Sequence, residues 1–135
     1  MARPRRNQPG SSPRAWQRGG GEGPGPGGPL PREMYRVETG SLSKVDAHPD
    51  AMRPVVVLSV NEATRTVSVC ARTSQREDGS GVEHPANADL DLNKTGWFRS
   101  KWFQHVQRSH FVYPLVRRLG WLDERTYDKV EEEVA

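Results

Sequence analysis

The stretch from Arg53 to Gln75, RPVVVLSVNEATRTVSVCARTSQ, is the densest apolar and β-branched segment of the chain and limits what the rest can fold into. Val55 to Leu58 form an unbroken apolar run, the pattern of a strand buried on both faces. Thr66 to Arg72 alternate, with Val67, Val69 and Ala71 turned one way, and Asn61 to Arg65 supply a polar turn between the two runs. The expectation is an antiparallel hairpin. Its geometry brings Arg53, at the start of the first strand, close to Thr73 and Ser74, at the end of the second. Cys70 is expected as a small buried side chain on the strand face opposite the valines.

Only 33% of the 135 residues are apolar, so the core built around this hairpin must be small and belong to one domain. Much of the shortfall lies in the first 33 residues, which are rich in Gly, Pro and Arg and hold one aromatic residue, Trp16. Such a composition cannot bury enough apolar surface to offset the entropy of ordering, so residues 1–33 read as a disordered tail and 34–135 as the folded domain. Charge divides at the same place. Residues 1–32 carry six arginines against Glu22, a net of +5, and the remainder carries a net of −2. Nucleic acid, if bound, must therefore be held by a local cluster or by the tail rather than by a general positive field.

Several function classes find no support. No run of 18 apolar residues and no secretory signal pattern are present, so no membrane association and a cytoplasmic location are expected. The single cysteine excludes an internal disulfide framework, and His48, His84, His105 and His110 lack the spacing of a zinc site, so neither metal nor cofactor is expected. No phosphate-cradling glycine loop or Gly-x-Ser-x-Gly elbow appears.

The remaining elements are read from local pattern. Tyr35, Val37, Leu42 and Val45 suggest a short strand before a loop holding His48. Gln75 to Gly81 is a surface loop, and Leu90 and Leu92 anchor an irregular stretch to the core. Residues 94–115 interleave Trp97, Phe98, Trp102, Phe103, Phe111 and Tyr113 with basic side chains. That mixture suits stacking on single-stranded RNA, although a domain so poor in apolar residues needs most of these rings for its core. The pattern predicts a strand near 96–99, a short helical or irregular piece through 100–105 and a strand near 105–112. A helix starts after Asp123, a good N-cap, with Tyr127, Val130 and Val134 on one face.

Arg53, Thr73, Ser74, His48 and Arg99 are the polar residues that such a fold can bring together. The set fits RNA cleavage without a metal, in which the 2′-hydroxyl attacks the adjacent phosphate. That reaction needs cationic and hydroxyl donors on the phosphate oxygens and groups that move protons. A non-catalytic barrel holding RNA or a protein tail fits the same residues.

RPVVVLS at 53–59, ARTSQ at 71–75, TGWFR at 95–99 and the closing LGWLDERTYDKVEEEV, in this order, resemble the MazF/PemK family of toxin endoribonucleases. The resemblance implies a mainly β fold, a small SH3-like barrel with a C-terminal helix. It also implies a homodimer, metal-independent cleavage of single-stranded RNA, and an antitoxin protein as inhibitor. By position, Arg53 matches the family arginine that binds phosphate and takes part in proton transfer, and Thr73 the residue that stabilises the scissile phosphate. His48 is similar to a loop histidine of the PemK-like branch, and Arg99 corresponds to its later arginine. Ser74, Gln75, Arg76 and Lys101 are expected to contact the RNA. Lys101 stands where that branch has a carboxylate.

Overall fold

The computed structural model describes residues 22–45, 51–75 and 80–135. It contains β1 (Glu33–Glu38), β2 (Met52–Asn61), β3 (Thr66–Thr73), β4 (Val82–His84), β5 (Gly96–Gln107), β6 (Val116–Trp121) and α1 (Glu124–Val134). The strands form one sheet in the order β4-β5-β3-β2-β1-β6, with every pairing antiparallel. Together they make a curled half-barrel closed by a C-terminal helix, the mainly β, barrel-like architecture that the sequence suggested. Among the described residues no helix is long and apolar enough to cross a membrane.

The central hairpin is β2 and β3, in the register Val55↔Ala71, Val56↔Cys70 and Val57↔Val69. The unbroken apolar run has the expected reason, because both faces of the sheet are covered. Val55, Val57, Val67, Val69 and Ala71 pack with Tyr35, Val37, Trp102, Val106 and Phe111 on one face. Val56 and Cys70 pack on the other, with Met34, Phe98, Leu119, Leu122 and Val130. At the turn, Asn61 Oδ1 accepts from the Thr64 amide and Arg65 takes the left-handed conformation, φ 56°. Cys70, fully buried, is a thiol whose pKa burial pushes up to about 12, which makes it inert at neutral pH.

One expectation needs correcting. Residues 96–107 form a single twelve-residue strand, not two strands around an irregular piece. Pairing with β3 jumps from Cys70↔Phe103 to Arg72↔Phe98, so the extra residues of β5 are absorbed as a bulge. The bulge interrupts the alternation of buried and exposed positions, which is why the segment reads as irregular. Of its aromatic residues, Phe98 and Trp102 are buried and Trp97 is half-buried.

The helix begins as its sequence suggests. Asp123 Oδ2 accepts from the Thr126 amide and hydroxyl, which holds the Asp123 carboxyl below its usual range despite the opposing effect of burial. Val130 is buried against the sheet, with Tyr127 and Val134 beside it.

At the other edge, β1 and β6 share a buried ion pair. Arg118 Nε donates to Glu33 Oε2 at 2.6 Å, with the Arg118 side chain 1% and the Glu33 side chain 5% exposed. Glu33 Oε1 accepts from the Tyr35 hydroxyl and from the Leu30 amide. Residues 22–32, the described part of the Gly/Pro/Arg-rich stretch, meet β6 and β2 through backbone contacts. The Arg118 amide donates to the Glu22 carbonyl, and the Arg32 amide donates to that of Val57. These contacts use main-chain groups, which composition does not register.

Removing one member of a buried pair strands the other's charge. Glu33→Gln is therefore expected to lower stability by about 3 kcal/mol, read as a fall in the urea midpoint. Replacing both partners, as Glu33→Leu with Arg118→Met, should restore most of the loss. An unshifted midpoint in Glu33→Gln would contradict this role.

Candidate functional site: two cavities that share two arginines

Alternation along β2 and β3 places Arg53 on the face of Val55 and Val57, and Thr73 on that of Val69 and Ala71. The two side chains therefore meet at one end of the hairpin, two positions beyond the Val55↔Ala71 pair. Both are buried, Arg53 5% and Thr73 2% exposed. They line a niche of about 10 Å³, space for about one water, together with Leu42, Lys44, Val45, Ala71, Arg72 and Trp102. The Thr73 hydroxyl oxygen accepts from the Gln75 amide at 3.0 Å. Trp102 Nε1 is buried with no hydrogen-bond partner among the described residues, a donor beside the niche.

The wall formed by residues 42–45 is held by Gln104, whose signal in sequence was nil. Its Oε1 accepts from the amides of Ser43 and Lys44, at 2.9 and 3.0 Å, and its Nε2 donates to the Lys44 and Trp102 carbonyls. A buried amide with this many partners rigidifies the loop entering the site.

A second cavity, of about 110 Å³, opens next to the first and is lined by Arg36, Arg53, Pro54, Arg72, Ser74, Leu92, Asn93 and Lys94. Arg53 and Arg72 border both. Arg36 and Arg72 alternate with Met34 and Cys70, so they belong to the opposite face of the sheet from Thr73. Arg72 ties three segments together. Its Nε donates to His84 Nδ1 at 3.0 Å, and its Nη2 donates to the carbonyls of His84 and Lys94 at 3.0 and 2.7 Å. Gly96, the glycine of the Thr-Gly pair, makes room for this side chain, since a Cβ there would lie 2.6 Å from the guanidinium carbon. Burial first, and then the charge of Arg36, pull the Arg72 pKa down to about 10, so it remains a cation at neutral pH.

The other expected residues are placed as follows. Ser74 lines the larger cavity and Gln75 is exposed beside Thr73. Arg99 lies on β5 against Gly81, whose φ of +95° and missing Cβ allow its Cγ to approach, and it lines neither cavity. The Lys101 ammonium is 4.9 Å from the ring centroid of Trp102, and Lys101 lines neither cavity. His48 and Arg76 lie outside the described residues. Arg36, Arg72, Asn93 and Lys94 were not anticipated. The alternation of Arg72 with Cys70 was the available signal, but it could not reveal which loops close over that face. Among the described residues no three His, Cys, Asp or Glu side chains group as metal ligands.

Chemically, the site is a cationic, partly buried pair of cavities with hydroxyl and indole donors, suited to an anion. Comparison with known proteins agrees with a small half-barrel of this kind. A family model described as PemK-like, MazF-like toxin of type II toxin-antitoxin system matches residues 33–135, and the chain belongs to that family. Among solved structures, the MazE-MazF complex of Deinococcus radiodurans in crystal form II is similar at 17% identity and a TM-score of 0.54. The match covers 78% of this chain and 90% of that one. Form III gives 16% identity and the same TM-score, covering 78% and 92%. These structures share the fold. No curated protein matches.

The Arg72–His84 contact predicts a pH dependence. Burial first, then the Arg72 charge, lowers the His84 pKa from 6.5 to about 4. Between those values the unfolded chain binds a proton that the folded chain does not. Stability is then full above about pH 6.5 and falls as pH drops toward 4, by up to about 1.4 kcal/mol per pH unit. Urea unfolding at a series of pH values should show this slope, and His84→Asn should flatten it. An equal slope in the variant would exclude His84 as its source.

Proposed function

We propose that this protein is an endoribonuclease that cleaves single-stranded RNA without a metal, acting as the toxin of a toxin-antitoxin pair. The observation that carries the reading is the joint burial of Arg53 and Thr73 around one niche in a chain of the MazF/PemK family. In the reaction, the 2′-oxygen attacks the adjacent phosphorus and the P–O5′ bond breaks. The products are a cyclic phosphate and a free 5′-hydroxyl. Negative charge accumulates on the non-bridging oxygens, where a buried guanidinium and a threonine hydroxyl stabilise it most, because neither must reorganise.

Arg53 binds the phosphate and supports proton transfer, and Thr73 donates to a phosphate oxygen. His48 and Arg99 support them, while Ser74, Gln75, Arg76 and Lys101 contact flanking RNA. The MazE-MazF complexes among the structural neighbours favour an antitoxin partner, and the family resemblance favours a homodimer working in the cytoplasm. Lys101 beside Trp102 favours a second reading, a barrel that binds RNA without cutting it, because a cation replaces the carboxylate base of the PemK-like branch.

Incubation of the purified full chain with single-stranded RNA in EDTA separates the two. Cleavage by the native protein and a loss of about 100-fold or more in Arg53→Ala and Thr73→Ala are expected. Cleavage that persists in Arg53→Ala would sink the residue assignment, and binding without scission would establish the second reading.

A further inference from the structure

The larger cavity collects charge beyond the Arg53 that the cleavage chemistry uses. Arg36 from β1, Arg53 from β2, Arg72 from β3 and Lys94 from the loop before β5 surround about 110 Å³, with Ser74 and Asn93 as further polar lining. Among the described residues, none that line it is a carboxylate. The hydrogen-bond acceptors of Arg72 are a ring nitrogen and main-chain carbonyls, so its positive charge is oriented without being neutralised. Its Nη1 is left as the remaining pair of donors. Arg36 is likewise oriented by the Asp91 carbonyl, with the Asp91 carboxylate 3.6 Å away and largely solvated. Holding several like charges around one cleft costs free energy that a bound anion offsets.

We propose that this cleft is a phosphate subsite for single-stranded RNA, holding the phosphodiester next to the one at Arg53 and Thr73. The inference rests on the RNA reading given above. Two features favour a phosphodiester strand over an acidic peptide. Arg53 borders both cavities, so consecutive anions of one polymer can occupy them in turn. The lining is mostly guanidinium, ammonium, hydroxyl and amide, with Leu92 and Pro54 as the apolar part, which suits tetrahedral oxygens better than peptide side chains. Burial first, and then the charge of Arg36, depress the Arg72 pKa, in agreement with two cations held close together.

The test measures binding of a non-cleavable, 2′-O-methylated single-stranded RNA to the full chain by fluorescence anisotropy between about 50 and about 200 mM salt. Lys94→Gln and Arg36→Gln are each expected to reduce the slope of log affinity against log salt by about 0.7, the loss of one phosphate contact. Lys94 is exposed, and Lys94→Gln leaves intact the main-chain carbonyl that Arg72 uses. It therefore keeps the test valid if Arg36→Gln does not fold, as judged by its thermal midpoint. An unchanged slope in folded Lys94→Gln overturns the subsite even if the native protein cleaves RNA in EDTA. A reduced slope in a native protein that binds but never cleaves supports the subsite and refutes only the nuclease reading. Binding of an acidic peptide without any binding of RNA overturns it.

Discussion

The double-sided burial of the β2–β3 hairpin is the constraint on which the rest of the structure depends. Val55 and Val57 face one cluster and Val56 the other, while Val69 and Cys70 divide in the same way across the turn. A slip of one residue would exchange the two sets and send Arg53 and Thr73 to the helix side of the sheet. Because neither face is wet, that slip has no tolerable alternative packing. Register is thereby held by the core, and the positions of the polar residues at the strand ends follow from it.

The same alternation explains why one end of a weakly charged domain becomes strongly cationic. Arg53 and Thr73 continue one row of side chains, and Arg36 and Arg72 continue the other, so the hairpin end carries guanidinium groups on both faces. Loops then enclose each face. Gln104 fixes residues 42–45 over the first, and the Arg72 contacts to the His84 and Lys94 carbonyls fix the segment after β4 over the second. A buried arginine satisfied by carbonyls keeps its full charge, unlike Arg118, which Glu33 compensates at 2.6 Å. One arginine serves the fold, and the others shape an electrostatic field.

This arrangement bears on the proposed cleavage. Burial raises the strength of each donor toward a phosphate, since the interaction is less screened than at the surface. It also limits who can move protons, because a guanidinium is a poor base. The chain has Lys101 where the PemK-like branch has a carboxylate, so the proposed cleavage has no carboxylate base at that position.

Much was legible in the sequence because it rests on local pattern. The hairpin, its turn at Asn61–Arg65, the Asp123 cap and the helix face of Tyr127, Val130 and Val134 all follow from spacing and side-chain chemistry. The nearness of Arg53 to Thr73 follows from them, since an antiparallel pair joined by a short turn leaves little choice of partner. Tertiary structure alone decided the remainder. The bulge in β5 depends on how that strand meets β3, the pairing of Glu33 with Arg118 joins residues far apart in the chain, and Gln104 acquires meaning only from the loop it holds. The cleft of Arg36, Arg72 and Lys94 arises for the same reason: each cation is unremarked in its own segment, and only closure of the sheet with its loops brings their charges to one place.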